Sequence, residues 1–434
     1  MRTRIARLVA AATIAAATAT PPANAVAPPP VDRSLLPAPA PAAPARPTVQ
    51  REVCTVGSLG PGSPPTQLDG LDLAAAWALT RGAGQRVAVI DTGVAAHRRL
   101  PGLIGGGDYV STGDGTRDCD GHGTLVAGII AAAADPVADR FSGVAPLATV
   151  IGIRASSARF GTLGEAPGIG DVDTLAKAVR TAADLGASVI NISAVACRPA
   201  NSGLDDRPLG AALAYAVEVK SSVVVTAAGN TDDGCGGDGP RIVTPAWYDD
   251  YVLTVASVDA RGVASAFTLP GPWVDVAAPG EAVLSLSTVG DAMADTLDGS
   301  ALRGTSFAAP VVSGVVALIR ARFPQWTPRQ VMDRIKATAH HPPGGRDDVV
   351  GAGVVDPLAA LTFDVATSLE PSRPGPPLPR PDPGLEPTAE PAPAGLRTAI
   401  LSTAVLLALL LSAVTGRALS GREPRRGPAA LGPD

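Results

Sequence analysis

Short apolar runs alternate with longer segments of helical periodicity between about Leu68 and Ser368. The runs are continuous in Val and Ile rather than alternating with polar residues, which is typical of strands buried on both faces. We therefore predict an α/β fold with a mostly parallel sheet covered by helices. The predicted strands are Val87–Ile90, Thr149–Ile153, Val189–Ile192, Val223–Thr226, Val252–Ala256 and Val274–Val276. The predicted helices are Gly123–Ala134, Val172–Leu185, Leu209–Val219, Ser306–Arg322 and Pro328–Ala339.

The N-terminus has the pattern of a signal peptide. Three arginines among the first seven residues precede an apolar stretch, Leu8–Ala19, that is too short to span a bilayer comfortably. Ala23 and Ala25 then supply the small residues that signal peptidase requires. We predict a signal peptide over residues 1–25 and a mature chain that begins near Val26, with a weak N-terminal anchor as the alternative.

The C-terminus has the pattern of a membrane-spanning helix. Residues 397–417 enclose an uncharged, mostly aliphatic run whose length, at about 1.5 Å per residue, matches the hydrocarbon core of a bilayer. Arginines follow directly, and the positive-inside rule places the basic tail, 418–434, in the cytoplasm. The preceding domain would then lie outside the membrane. A buried core helix is the alternative.

Two Pro-rich segments flank the predicted globular domain, 68–368. We expect the first, an N-terminal extension over 26–67, to be extended and to contain little secondary structure. We expect the second, 369–396, to act as a stiff spacer between the domain and the membrane helix.

Composition and cysteine content restrict the function further. The chain has 434 residues, of which 46% are apolar, enough for a substantial core. A net charge of -5, without a basic run, gives no reason to expect nucleic-acid binding. An even number of cysteines in an exported chain favours disulfides, and the absence of a CxxC pair argues against a metal site. The cysteines are Cys54, Cys119, Cys197 and Cys235.

In a parallel sheet, functional residues gather in loops beyond the carboxyl ends of the strands. Several reactive side chains of this sequence occur at such positions. Asp91 ends a buried run, His122 stands between glycines at the start of a helix, and Ser306 begins a long helix. A helix N-terminus offers unpaired N–H groups and a positive dipole end, which suits a nucleophile whose attack creates an oxyanion. Asn230 follows another buried run, where its amide can help to build an oxyanion hole. Taken singly, these are ordinary turn, loop and helix-cap residues.

Together, these segments resemble the signature blocks of the subtilisin-like serine proteases. The blocks are Asp91-Thr92-Gly93, His122-Gly123-Thr124, Ala228-Gly229-Asn230 and Gly304–Pro310, in the order of that family. The resemblance covers most of the segment 68–360 and implies the subtilisin-like three-layer fold. It also implies a serine endopeptidase that acts on a peptide or protein substrate without a cofactor or metal.

The resemblance assigns a role to each matching residue. His122 would take the proton of the Ser306 hydroxyl, Asp91 would orient the imidazole, and Asn230 would stabilise the oxyanion together with the Ser306 N–H. His97 is interpreted as structural, since one base completes the triad. The residues expected to line the substrate cleft are Ser193, Ala227, Ala228 and Gly229.

The arrangement of the whole chain resembles the mycosins, the membrane-anchored proteases of type VII secretion systems. This resemblance implies partners among the secretion membrane components and a single-pass protein whose domain faces outward. Of the three connectivities open to four cysteines, it favours Cys54–Cys119 with Cys197–Cys235. Mycosins lack a folded inhibitory pro-domain, and residues 26–67 are too short to form one.

One departure from the family pattern concerns specificity. Ala194 and Val195 follow Ser193 where the family often has a glycine, and a bulkier residue there predicts a narrower cleft. The enzyme would then be selective or slow. The alternative function is a mainly structural component of a secretion complex, with weak or selective proteolysis. A further alternative is an exported maturation protease outside type VII secretion.

Overall fold

The computed structural model describes residues 26–60, 66–236 and 239–362. The globular domain predicted for 68–368 is therefore described up to residue 362. The predicted signal peptide (1–25), Pro-rich linker (369–396), membrane helix (397–417) and basic tail (418–434) lie outside these residues.

A seven-stranded parallel sheet forms the centre of the described chain. Its strands are β1 (Arg86–Asp91), β2 (Ile104–Asp108), β3 (Thr149–Arg154), β4 (Val189–Ile192), β5 (Val223–Ala227), β6 (Val252–Val258) and β7 (Val276–Pro279). Their spatial order is β7, β6, β5, β4, β1, β3, β2, and every neighbouring pair is parallel. The strands β5, β4 and β1, which precede the candidate site residues, are thus direct neighbours.

Helices cover both faces of the sheet. The α-helices are α1 (Leu73–Leu79), α2 (His122–Ala131), α3 (Val172–Asp184), α4 (Arg207–Ala214), α5 (Thr305–Arg322), α6 (Pro328–Thr338) and α7 (Pro357–Thr362). Alternate side chains of β1 point to opposite faces, as the two-residue period of a strand requires. Val87 and Val89 pack in the core that contains α2 and α5, whereas Ala88 and Ile90 pack with α3 and α4. The three-layer α/β fold is confirmed.

Helix α5 is long and apolar enough to cross a membrane by composition, but 78% of its apolar window is buried inside the domain. Such a helix, apolar on all sides, is a core helix of a large domain. It holds Ser306 at its second position, so the nucleophile predicted from the sequence is attached to a largely buried helix.

Several boundaries differ from the sequence-based prediction. Strand β2 was not predicted, because its sequence Ile-Gly-Gly-Gly-Asp lacks the Val and Ile content of the other strands. Strand β7 begins at Val276 rather than Val274, because its ladder with β6 begins at the pair Val255 and Val276. The helix predicted over Leu209–Val219 is α4 followed by a π-helical turn, Tyr215–Val219. The short helices α1 and α7 were not predicted.

The N-terminal extension has more regular structure than expected. It contains a 3-10 turn, Arg33–Leu35, and two short strands that pair with the domain. Thr48–Gln50 pairs antiparallel with Phe160–Thr162, and Gly57–Ser58 pairs antiparallel with Thr296–Leu297. Apolar side chains of the extension also pack on the layer of α3 and α4. They are Val26, Val31, Leu36 and Ala42.

Arg159 fastens the extension close to the sheet edge that carries the site. Its guanidinium donates to Glu52 at 2.6 Å and to Asp298 at 2.7 Å. Its Nε donates to the Thr55 hydroxyl at 3.1 Å. One side chain therefore links the extension, the loop after β3 and the hairpin that precedes α5.

Candidate active site

The candidate site lies at the carboxyl ends of three neighbouring strands. Asp91 is the last residue of β1, Ser193 directly follows β4, and Asn230 lies three residues beyond β5. Because parallel strands end at the same edge of a sheet, this topology brings residues from distant parts of the chain together. The helices α2 and α5 begin at the same edge and supply His122 and Ser306.

The ring of His122 contacts both other residues that resemble a triad. Its Nδ1 lies 2.8 Å from Asp91 Oδ1, and its Nε2 lies 3.0 Å from Ser306 Oγ. The Asp91 side chain is 4% exposed and that of His122 is 27% exposed, so the imidazole reaches solvent while its carboxylate partner does not. Phe307 packs against the ring, with 4.9 Å between the ring centroids.

The carboxylates near His122 determine its protonation. Burial is the largest single effect on the pKa of His122 and lowers it, but the nearby carboxylates, Asp91 foremost, together raise that pKa above its ordinary value. Asp118 and Asp120 raise it further by their negative charge. The Thr92 N–H donates to Asp91 Oδ1 at 2.7 Å and so fixes the carboxylate that faces the ring.

A chain of buried hydroxyl and amide groups holds the backbone of Ser306. The Ser193 hydroxyl donates to the Ser306 carbonyl at 2.9 Å and accepts from the Asn191 amide at 2.9 Å. The Asn191 side chain in turn accepts from the Ser313 hydroxyl at 2.8 Å. Ser313 lies on α5, further along the helix than Ser306. Ser193 was expected to line the cleft, and the structure also makes it a support for the nucleophile.

Asn230 is oriented by the residue before the nucleophile. Its Oδ1 accepts from both the Thr305 N–H and the Thr305 hydroxyl, each at 3.0 Å. A Cβ placed on Gly304 would lie 3.0 Å from Ser306 Oγ and 3.4 Å from Asn230 Nδ2, so both atoms face the same space. Gly304 has φ of 154°, a conformation that favours glycine and keeps this space open.

The cleft beside Ser306 is lined by three of the four residues expected there, Ser193, Ala227 and Gly229. Ala228 differs, because it is fully buried and packs against Ala256 and Val258. Its N–H donates to the Val255 carbonyl at 2.9 Å, so neither its side chain nor its N–H faces a substrate. Within the described residues, no group of three or more His, Cys, Asp or Glu side chains is arranged to hold a metal.

Comparison with known proteins shows the family of this chain. The profile of the subtilase family matches residues 82–353. Mycosin-4 of Mycobacterium tuberculosis is 56% identical over 441 residues, which cover 94% of this chain and 95% of that relative. This chain belongs to the mycosins of the subtilase family.

Solved structures agree with that assignment. The MycP3 protease from the type VII (ESX-3) secretion system is 44% identical, with a TM-score of 0.72 over 78% of this mycosin and 100% of that chain. A chain in an intact ESX-5 inner membrane complex is 41% identical, with a TM-score of 0.72 over 91% of this mycosin and 100% of that chain. The mycosin described here is a subtilisin-like serine protease.

Two disulfides connect the cysteines of this mycosin. Cys54 is joined to Cys119 with 4.5 Å between their Cα atoms, and Cys197 is joined to Cys235 with 5.1 Å. This is the pairing that the resemblance implied. The first bond attaches the extension three residues before His122, and the second lies behind the cleft.

Sequence reasoning missed two aspartates that anchor the loop before His122. Asp118 accepts from the Thr92 hydroxyl of the Asp91 block and from the Thr124 hydroxyl of the His122 block. Asp120 accepts from the Ser157 hydroxyl at 2.6 Å and the Ala158 N–H at 2.7 Å, which ties the loop to the segment that follows β3. Their only sequence signal is the clustering of acidic residues directly before His122.

His97, interpreted as structural from the sequence, is buried. Its Nδ1 accepts from the Arg99 N–H at 3.0 Å, and its Nε2 lies 3.3 Å from the Ala292 carbonyl. Burial lowers the pKa of His97, which favours the neutral ring. Both ring nitrogens are occupied by backbone groups, in keeping with a structural role.

Proposed function

We propose that this mycosin hydrolyses peptide bonds with Ser306 as nucleophile, His122 as general base and Asp91 as the group that orients the imidazole. The observation that carries the proposal is the pair of contacts of the His122 ring, 2.8 Å to Asp91 and 3.0 Å to Ser306. A nucleophile, a base within hydrogen-bonding reach and a third group that orients the base are the requirements of this acyl-transfer chemistry.

The proposed reaction has two halves. Ser306 Oγ attacks the carbonyl carbon while its proton passes to His122 Nε2, and the carbonyl oxygen becomes an oxyanion. The C–N bond then breaks, and His122 protonates the leaving amine. Water next attacks the acyl-enzyme and gives its proton to His122. The ester bond to Ser306 breaks, the serine recovers its proton, and the acid product leaves.

Asn230 is proposed to stabilise the oxyanion together with the Ser306 N–H. The hydrogen bonds from Thr305 to Asn230 Oδ1 support this role, because they fix the amide with its Nδ2 on the side of Ser306 Oγ. Ser306 occupies the second position of α5, where the backbone N–H has no partner within the helix. The donors would thus be in place before the charge develops, which is what makes such groups effective.

We propose that the peptidase acts on the outer side of the cytoplasmic membrane. The predicted signal peptide (1–25) and the predicted membrane helix (397–417) support a single-pass protein with its short tail in the cytoplasm. The likeness to a chain in the ESX-5 inner membrane complex supports partners among type VII secretion membrane components.

The same likeness favours a second candidate function, in which the protein mainly stabilises a secretion complex and cleaves weakly or selectively. The two functions predict different behaviour of Ser306→Ala. Loss of secretion in a deletion strain complemented with this variant, at wild-type protein level, supports an essential protease. Normal secretion supports the structural role.

Peptide hydrolysis itself is tested with the full-length protein in detergent. A peptide library is incubated with the wild type and with Ser306→Ala, and new termini are identified by mass spectrometry. We expect new termini only with the wild type. Equal cleavage by both proteins would refute the proposed mechanism.

A further inference from the structure

Three charged side chains lie in register across neighbouring strands at the carboxyl end of the sheet. Asp91 of β1 is the ladder partner of Arg154 of β3, and Arg154 is in turn the ladder partner of Asp108 of β2. All three residues are buried, with exposures of 4%, 3% and 1% in that order. Neighbouring strands are about 4.8 Å apart, so the arginine lies between two carboxylates in the order of the strands.

Asp91 and Arg154 are directed to the same face of the sheet. Val89 of β1 and Val150 of β3 both pack in the core that contains α2 and α5. Because side chains alternate along a strand, Asp91, two residues after Val89, is directed to that face as well. The same holds for Arg154, four residues after Val150. Helix α2 on this face begins with His122, so Arg154 lies on the side of the sheet that carries the proposed base.

The guanidinium of Arg154 is only loosely paired. Its Nη1 lies 3.7 Å from Asp108 Oδ2, beyond hydrogen-bonding distance. Among the residues that the structure describes, Nε and Nη2 of Arg154 have no hydrogen-bond partner, and neither has Oδ2 of Asp91. The ring of Phe160 covers the guanidinium, with 4.3 Å from Cζ to the ring centroid. The Asp108 carboxylate, by contrast, accepts from the N–H groups of Val110, Ser111 and Gly113.

A cavity of about 720 Å³ is lined both by Arg154 and by the loop before His122. Asp118, whose carboxylate joins the segments of Asp91 and His122, is part of this lining. Two further charged residues of the lining are exposed, so solvent and salt screen them. They are Asp114 and Arg117. The buried guanidinium therefore faces the loop that positions the proposed base.

Three carboxylates surround His122. Burial lowers the pKa of His122, and these carboxylates together raise it above its ordinary value. They belong to Asp91, Asp118 and Asp120. Arg159, in the segment that follows β3, is 24% exposed and binds two other carboxylates. Arg154 differs from it, because Arg154 is buried and shares a ladder position with a member of the proposed triad.

We propose that Arg154 is a positioning residue of this mycosin: its buried guanidinium stabilises the ionised carboxylate of Asp91 and offsets the negative charge around His122. A carboxylate withdrawn from water is costly to keep charged unless an opposite charge lies near it. The cation also favours the neutral imidazole, the form that can accept the proton of Ser306. The inference rests on the proposed function, because it concerns the base of the same triad.

The test measures the pH midpoint of fluorophosphonate labelling of the full-length protein in detergent. Ser306 Oγ forms a bond to phosphorus as fluoride leaves, and His122 takes the hydroxyl proton, so the midpoint reports the protonation of that ring. Arg154→Gln removes a charge that disfavours the protonated ring. The midpoint should therefore rise by about 0.5 pH unit, less than the roughly 1–3 units of a direct ion contact. Arg154→Lys retains the charge and should keep the wild-type midpoint.

Two further variants separate charge from structure. Arg46→Gln removes an exposed arginine that is bound to Glu165, and it should leave the midpoint unchanged. Arg154→Gln/Asp108→Asn also removes the carboxylate that would otherwise stay buried without its counter-charge, so it replaces the single variant if that does not fold. Its midpoint should rise by a smaller amount, since β2 lies one strand further from β1 than β3 does.

The outcomes separate this inference from the proposed function. An unchanged midpoint in the Arg154→Gln protein, or in the double variant where that replaces it, overturns the role of Arg154 even if the plateau rate falls. A midpoint that Arg154→Lys raises as much as Arg154→Gln does overturns it too, because the charge is then not what matters. Both results leave the proposed nucleophile standing. A folded wild-type protein that is not labelled overturns the proposed function, and the inference with it.

Discussion

The carboxylate of Asp118 accepts both the backbone N–H and the hydroxyl of Thr124, at 2.8 and 2.7 Å. Its other oxygen accepts from the Thr92 hydroxyl at 2.9 Å and from the Gly121 N–H at 2.7 Å. Thr92 follows Asp91 directly, and Gly121 and Thr124 lie on either side of His122 in the sequence. One buried carboxylate therefore fixes the distance between two members of the proposed triad.

Substitution of Asp118 should lower the catalytic rate although Asp91, His122 and Ser306 themselves are unchanged. Asp118→Asn exchanges an accepting oxygen for an N–H donor, which then faces another donor. We expect kcat to fall by up to about 100-fold, because a small displacement of a catalytic group can lower the rate by that factor. KM should change little. The free energy of unfolding should fall by about 1.5–3 kcal/mol, typical of hydrogen bonds to a charged group.

Steady-state kinetics and chemical denaturation of the full chain measure these changes. Burial raises the pKa of Asp118 to about 6, so assays at about pH 8 compare the variant with the ionised carboxylate. Asp114→Asn is the matched control, because Asp114 lies in the same loop and its side chain accepts from Thr116 within its own turn. A wild-type kcat for Asp118→Asn would contradict the positioning role.

Asn230→Ala tests the proposed oxyanion donor. The substitution removes a side-chain amide that acts only when the carbonyl oxygen becomes negative, so it should lower kcat about 10²–10³-fold and leave KM nearly unchanged. Single-turnover and steady-state assays on one peptide separate the two parameters. Asn201→Ala, at an exposed turn, should behave as the wild type. A rise in KM with unchanged kcat would instead assign Asn230 to substrate binding.

The protonation of His122 predicts the pH dependence of the enzyme. Burial lowers the pKa of His122, but the carboxylates of Asp91, Asp118 and Asp120 together raise it above its ordinary value. Only the neutral ring can accept the Ser306 proton, so kcat/KM should rise with pH and reach half its plateau above the ordinary histidine value of about 6.5.

The rate of fluorophosphonate labelling between acidic and mildly alkaline pH measures this midpoint directly. Asp91→Asn should shift the midpoint to lower pH, because the charge that favours the protonated ring is removed. A wild-type midpoint below about 6.5 would mean that burial dominates over the carboxylate.

Arg159 should hold the N-terminal extension more firmly than an exposed ion pair does. It is 24% exposed and binds two carboxylates, whereas Arg46, which binds Glu165, is 65% exposed. Arg159→Gln should increase hydrogen exchange of residues 50–58 in the full chain, since it removes contacts worth about 1 kcal/mol together. Arg46→Gln is the matched control and should change exchange little. Equal effects of both variants would show that Arg159 has no special part in fastening the extension.

Much of the fold could be predicted because its strands are short runs of Val and Ile, which signal burial on both faces. The strand Ile104–Asp108 escaped prediction because its glycines carry no such signal, although its backbone pairs with Thr149–Arg154. The short helix Pro357–Thr362 is held by packing rather than by a pattern of its own, so its six residues gave no period to detect.

In the candidate site, only residues that belong to a short sequence motif could be predicted. Asp91, His122, Asn230 and Ser306 stand in recognisable blocks. Asn191 could not be predicted, because its importance depends on hydrogen bonds to residues of the distant helix α5 that only the folded chain brings near. Contacts of this kind come from tertiary packing and have no signature along the sequence.

Labelling with a serine-directed reagent shows directly whether Ser306 is the nucleophile. Full-length protein in detergent is treated with a fluorophosphonate, and the adduct is located by intact mass and peptide mapping. Ser300→Ala, at an exposed serine on the rim of the cleft, is the control. We predict one adduct on Ser306 in the wild type and in Ser300→Ala, and none in Ser306→Ala. An adduct that persists in Ser306→Ala, or its absence from the folded wild-type protein, would mean that Ser306 is not the reactive nucleophile of this protein.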